Sequence, residues 1–174
     1  MILSGLKIRD EALAGNISIS PFSEKNVTTN SYDLTIGSTV LRIRDEIIDP
    51  KREVQTEELE IPETGLVMQA GEFLLGCSEQ IIGSEKYVPI IHAKSSIARL
   101  GLFVHVTADL IDIGSIGQVT FQLFATQNVT LYPGMEIGQV SFWVPRGEIR
   151  LYTGKYQGSK GPQPSKVYKD FQAS

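Results

Sequence analysis

The chain has 174 residues, 41% of them apolar, 21% charged and 8% aromatic, one domain's worth of sequence with enough apolar material for a sizeable core. Sixteen Lys and Arg against twenty Asp and Glu leave a net charge of −4, which argues against a broad basic face for nucleic acid, so a polyanionic ligand would need a local cationic pocket. One cysteine, Cys77, and two histidines, His92 and His105, exclude an intramolecular disulfide and a Cys-rich zinc site; with no signal-like opening and no apolar run near the ~20 residues of a membrane span, a cytoplasmic protein without a membrane partner is expected.

In chain order, Ser4 can cap an opening helix in which Leu6, Ala12 and Leu13 form the apolar side, Lys7, Arg9 and Asp10 face water, and Gly15 ends the helix. From Tyr32 onward the apolar residues come in short runs rich in Val, Ile, Thr and Phe between Gly and Pro, the pattern of a mostly β domain. Strands are expected over residues 32–36, 39–44, 57–61, 72–77, 88–93, 117–125 and 135–144. Their close spacing leaves little room for crossover helices and predicts a distorted jelly roll or β-barrel rather than a parallel α/β fold. One or two helical turns are expected over residues 95–100, framed by a serine cap and by Gly101. Residues 152–174 mix Gly, Pro, Lys and Tyr without apolar periodicity, and by composition form a mobile tail. Such a mixture also suits a lid over an anion. The expected organisation is thus a β domain over 1–151 and a lid segment of the same domain over 152–174.

Two segments could carry chemistry. Lys94, Ser95, Ser96 and Arg99 place an ammonium, two hydroxyls and a guanidinium around the start of one short helix, a setting that suits a phosphate. From spacing alone, a capped surface helix with solvated cations is the better account. Asp109 and Asp112 lie just before a strand, where a carboxylate could orient a water or hold a sugar hydroxyl. Here the residues by themselves favour an Asx-turn, with Asp112 bonding nearby backbone ahead of Gly114. His92 and His105 read as packed, hydrogen-bonded histidines, since neither has metal-ligand spacing around it.

Taken together, the MILS start, Ser31-Tyr32-Asp33-Leu34, Gly71-Glu72-Phe73-Leu74-Leu75-Gly76, Lys94-Ser95-Ser96-Ile97-Ala98-Arg99-Leu100-Gly101-Leu102 and His105-Val106-Thr107-Ala108 follow a familiar order. Ile111-Asp112, Pro133-Gly134-Met135, Ile137-Gly138-Gln139 and Gly154-Lys155-Tyr156-Gln157-Gly158 with Gly161-Pro162 continue it. Nearly end to end, the chain resembles the trimeric deoxycytidine triphosphate deaminases and their deoxyuridine triphosphatase relatives. The resemblance implies a homotrimer of distorted jelly-roll subunits, active sites at subunit interfaces, and a C-terminal tail folding over a Mg2+-bound dCTP or dUTP. It implies that Lys94, Ser95, Ser96 and Arg99 hold phosphates, that the Ala108 backbone helps to place the water, and that Ser95 counts with Ala108, Asp112 and Gln122 as catalytic. Asp112 would face the deoxyribose and, as in the triphosphatase relatives, orient the attacking water, Gln139 would contact the base or its surroundings, Thr120 and Gln122 would line the substrate, and Tyr152, Lys155 and Tyr156 would act from the lid. No protein metal ligand is implied. Zinc nucleobase deaminases need a His and Cys ligand set, so a deaminase built on one cysteine has to activate water with a carboxylate and backbone groups.

One departure bears on chemistry. The deaminating members carry a glutamate proton shuttle where this chain has Gln122. A carboxamide can align a base or a water but takes no proton near neutral pH. Gln122 is either an introduced Glu-to-Gln change that traps substrate or a native loss of deamination. Leu110, where strict deaminases often carry arginine, looks like the members that carry dCTP through to dUMP. Asp109 is unusual beside the water-placing backbone, Ser159 replaces a frequent lid glutamine, and Ala93 replaces the usual glycine before the Lys-Ser-Ser run. Three readings follow: a dCTP deaminase with impaired deamination, a dCTP/dUTP pyrophosphatase without deaminase activity, and a non-catalytic nucleotide-binding regulator.

Overall fold

Short runs rich in β-branched and aromatic residues form eleven strands, paired antiparallel, in the computed structural model, which describes residues 1–105 and 107–172. Five of them, β4 (Thr56–Glu60), β3 (Thr39–Ile43), β6 (Phe73–Gly83), β9 (Ile116–Ala125) and β8 (Leu102–Val104), lie side by side in that order, and β1 (Ser18–Ser20) pairs with the far half of β6 as the sixth strand of the sheet. A second sheet is ordered β2 (Tyr32–Thr35), β11 (Glu136–Trp143), β7 (Val88–Ala93), and a third pairs β10 (Val129–Leu131) with β5 (Leu66–Met68). The sheets do not close into one hydrogen-bonded barrel; the architecture is mainly β and jelly-roll-like. One continuous core joins them, with Leu74, Phe121 and Leu123 from the large sheet, Tyr32, Leu34, Val140 and Phe142 from the second, and Met68 and Leu131 from the third. Gly138 permits this contact, because a Cβ there would meet the Phe121 ring at 3.2 Å.

The register of β6 on β9 shifts between Cys77 and Ile81. The buried polar groups of this bulge are satisfied locally: Ser78 Oγ donates to the Gln80 carbonyl at 2.6 Å and accepts the Val119 N–H at 2.9 Å. The short strands β1, β5, β8 and β10, three residues each, are too brief for a two-residue period to show in sequence.

Helix α1 (Gly5–Leu13) is capped by Ser4, whose Oγ accepts the Lys7 N–H at 3.4 Å. Lys7 and Asp10 face water and Ala12 packs against the core as expected, but Leu6 and Leu13 do not turn inward. Gly5, Ile8 and Glu11 are buried, whereas Leu6 and Leu13 are 64% and 73% exposed. Gly5 sets this rotation, since a side chain there would overlap the Thr28 carbonyl. Glu11 is tolerated inside because Lys7 at 2.7 Å, Lys86 at 3.0 Å and Asn16 Nδ2 at 2.7 Å surround its carboxylate. Hydrogen bonds from Lys7 and Lys86 hold that carboxyl at about 2, below its ordinary 4.5. Helix α2 (Ser95–Ala98) is one turn, and its cap is not a serine: Lys94 occupies the N-cap without a side-chain cap bond. Gly101 (φ +78°) leaves the turn in the left-handed region, as expected of the stop.

Candidate functional site

Strand β9 has two faces. Val119, Phe121, Leu123 and Ala125 enter the core, so Gln118, Thr120 and Gln122 point the other way, where they wall a cavity of about 650 Å³. Leu75 on β6 lies directly opposite Gln122, and Ile43, Ile48, Val54 and Phe73 extend the same apolar side. His105, Ala108, Asp112 and Ser115 supply another side from the segment between β8 and β9. Val106 of that segment lies outside the described residues. The chain beyond β11 closes the cavity with Tyr152, Tyr156, Ser159 and Gln163.

The tail, which its composition reads as a mobile segment suited to a lid, lies along β9 in this arrangement. Hydrogen bonds rather than an apolar stripe join it to the strand. Gln118 N–H donates to the Ser159 carbonyl at 2.8 Å, Gly161 N–H to Gln118 Oε1 at 2.7 Å, and Gln163 N–H to Thr120 Oγ1 at 3.0 Å. Gln157 clamps the start of β9, accepting the Ile116 N–H at 2.9 Å and donating to the Gly114 carbonyl at 2.8 Å. Gly117 has to lack a side chain, because a Cβ there would lie 2.7 Å from Ser159 N. Tyr152 OH accepts the Tyr156 N–H at 3.1 Å, and Tyr156 OH accepts that of Lys166 at 2.8 Å. Lys155 is directed away from the cavity, with its ammonium 2.6 Å from Oδ1 of Asp170 in α3 (Tyr168–Gln172). Residues 173 and 174 of the tail lie outside the described residues.

Asp112 does not make the Asx-turn that its spacing favours. Its backbone carbonyl accepts the Ser115 N–H at 3.0 Å, while its exposed carboxylate makes no hydrogen bond among the described residues and borders the cavity. His105 is packed as expected, edge-on to Phe121 at 5.8 Å, but its Nδ1 has no partner among the described residues. Its backbone is in the left-handed region at φ 56°, and its N–H donates to the Gln122 carbonyl at 3.1 Å. Burial pushes its imidazole down to about 4, so the ring is neutral at pH 7. His92 is exposed rather than packed, with Nε2 2.8 Å from Ser141 Oγ.

The cationic cluster stands apart from this cavity. Ser95, Ser96 and Arg99 are exposed, and Arg99 Nη1 donates to Ser95 Oγ at 3.3 Å. Lys94 is engaged by Asp33 and by Glu136, and Gln139 donates to Asp33 at 2.8 Å. Ala108, Asp112, Thr120, Gln122, Tyr152 and Tyr156 thus come together, whereas Lys94, Ser95, Ser96, Arg99, Gln139 and Lys155 do not line the cavity of the same chain. Gln118, Ser115 and the apolar side from Ile43 to Leu75 also line the cavity, although they are not among the residues expected there from the sequence. The even-numbered alternation of β9 was a usable signal for Gln118. Nothing local points to the residues that β3 and β6 bring across the sheet. Among the described residues no three His, Cys, Asp or Glu side chains gather to hold a metal, and no helix is long and apolar enough to cross a membrane.

The family profile described as dCTP deaminase-like matches residues 2–144, which span α1, every strand and both polar clusters. The chain belongs to the dCTP deaminase-like family. It is 43% identical over 173 residues to the "dCTP deaminase, dUMP-forming" of Clostridium beijerinckii, covering 99% of each chain. To the protein of the same name from Cytophaga hutchinsonii it is 41% identical over 173 residues, again 99% of each. Two solved structures support the fold. The 2'-deoxycytidine 5'-triphosphate deaminase of Agrobacterium tumefaciens superposes with a TM-score of 0.66 at 20% identity, covering 83% of this chain and 48% of that longer one. The EIAV dUTPase gives 0.52 at 14% identity over 81% and 98%.

Proposed function

We propose that the chain is a hydrolase of pyrimidine deoxynucleoside triphosphates that keeps the nucleotide pocket of dCTP deaminases but deaminates slowly. The observation that carries this reading is the pairing of Asp112 and Gln122 on one cavity, a carboxylate with no side-chain partner among the described residues and an amide where the deaminating members carry a glutamate. The relatives named "dCTP deaminase, dUMP-forming" combine two reactions in their name. In the first, water adds at C4 of dCTP and ammonia leaves, giving dUTP. A proton has to move from that water towards the ring and the departing amine, and Gln122 has none to exchange. In the second, water attacks the α-phosphorus of dUTP, the bond to the bridging oxygen breaks, and dUMP and pyrophosphate result. Asp112 can accept the proton of that water without any ionisation at position 122.

Gln122 still recognises the pyrimidine. Its amide both donates and accepts, so it can face the N3 and C4 edge of cytosine or, turned over, of uracil. The neutral His105 behind it supports the loop that carries Ala108 and Asp112 and adds no charge next to the base. Tyr152, Tyr156 and the tail exclude water. Mg2+ fits only as a companion of the triphosphate, because the described residues offer no ligand cluster and the phosphates and water supply the oxygens it prefers. Bound there, it screens phosphate charge.

Among the described residues, no Lys or Arg lines the cavity. This favours a homotrimer in which the segment Lys94 to Arg99 of a neighbouring copy completes each site, in the cytoplasm where nucleotide pools lie. The test is pyrophosphate release from dCTP and dUTP with Mg2+. The reading expects release from at least one of them, and no turnover of either overturns it.

A further inference from the structure

Lys94 is held by two carboxylates that differ in kind. Asp33 on β2 is the structural partner: its side chain is 11% exposed, Oδ2 meets the ammonium, and Oδ1 accepts Nε2 of Gln139 at 2.8 Å. Asp33 and Gln139 are also register partners in the β2–β11 ladder, so this contact is fixed by the sheet. Glu136 is different. Its side chain is 41% exposed, it reaches the same ammonium at 2.6 Å, and it stands where the register of β11 shifts, between Glu136 and Gly138. Such irregularities re-aim side chains. Asp33 alone neutralises Lys94. With Glu136 the trio carries a net negative charge, directly before the exposed Ser95, Ser96 and Arg99. A polyphosphate approaching this turn meets a carboxylate on the ammonium that would otherwise face it.

We infer that Glu136 sets the affinity of the phosphate-binding turn, occupying Lys94 in the free protein and yielding it when a phosphate oxygen arrives. The inference deepens the nucleotide reading above and rests on it for the identity of the phosphate's bearer. Glu136 acts through Lys94 and by like-charge repulsion, and touches neither the base nor the reacting water. The exchange is reversible because an exposed ion pair contributes little, whereas Asp33, buried and bonded twice, stays in place.

Inorganic tripolyphosphate titrated calorimetrically into the full chain tests the gate separately from catalysis. In Glu136→Gln its affinity is expected to rise about two- to fivefold, the worth of one exposed charge pair. Glu136→Lys should rise further, and both gains should shrink near about 0.5 M salt, where exposed charges are screened. With dCTP or dUTP the gain should appear as a lower KM rather than a higher kcat. Unchanged or weaker tripolyphosphate binding in Glu136→Gln overturns the inference. An affinity gain without nucleotide turnover by any variant leaves the gate standing and removes the nucleotide hydrolase reading instead, while turnover without a gain does the reverse.

Discussion

The cavity beside β9 and the cationic turn at α2 commit their polar side chains in opposite ways. Along β9, Gln118 and Thr120 are spent on the tail, while Gln122 and Asp112 are left facing open space. At α2 the main cation, Lys94, and the nearby Gln139 are both tied to Asp33. Among the described residues, the side chains proposed for reaction are thus uncommitted, and Lys94 and Gln139, proposed for capture, are held by internal partners that a ligand has to displace or share. The two surfaces also share one structural element. Phe121 packs edge-on to His105 and against the backbone of Gly138, next to Gln139.

Each side of this contrast can be broken separately. Asp112→Asn should have the largest effect, lowering pyrophosphate release ~100- to 10,000-fold, the range of general base catalysis, while thermal unfolding stays put because the side chain is exposed. A large loss of stability would show that Asp112 is structural. Phe121→Ala should undermine both surfaces together, costing about 3–5 kcal/mol in urea unfolding, since a fully buried ring leaves a cavity between the sheets. Gly117→Val acts on the cavity side alone: its side chain collides with the Ser159 backbone, so limited proteolysis over 154–161 should speed up while the β core keeps its unfolding midpoint.

The smallest effect is a pH slope. His105 is held near 4 against an ordinary 6.5, and Glu11 near 2 against 4.5. Both groups bind protons more readily when unfolded, so stability should fall as pH drops, first from about 6.5 towards 4 through His105 and then towards 2 through Glu11. Glu11→Gln should flatten the lower part of that slope in acid unfolding followed by circular dichroism, and His105→Asn the upper part.

The long strands were legible because ten residues of alternating burial, as in β9, leave a period that three residues in β1 or β5 cannot. The inward face of α1 is only partly legible, because beside Ala12 it carries Gly5 and the ion-paired Glu11 where apolar residues are normally sought. The way the tail lies along β9 left no apolar period in the sequence, because hydrogen bonds from its backbone join it to Gln118 and Thr120. At the site, Asp112, Thr120 and Gln122 could be grouped from the order of motifs. The engagement of Lys94 and Gln139 away from the cavity could not, since it depends on Asp33 and Glu136, which come from β2 and β11. No local pattern links positions so far apart in the chain.

The central claim is that an amide at position 122 silences proton transfer to the pyrimidine without loosening nucleotide capture. Ammonia and pyrophosphate should be measured side by side from dCTP and Mg2+ with the chain as it stands and with Gln122→Glu. The account expects ammonia release to rise ~100- to 10,000-fold in the glutamate variant at similar KM, with pyrophosphate release already present in the parent chain. Equal ammonia release from the two proteins would contradict it.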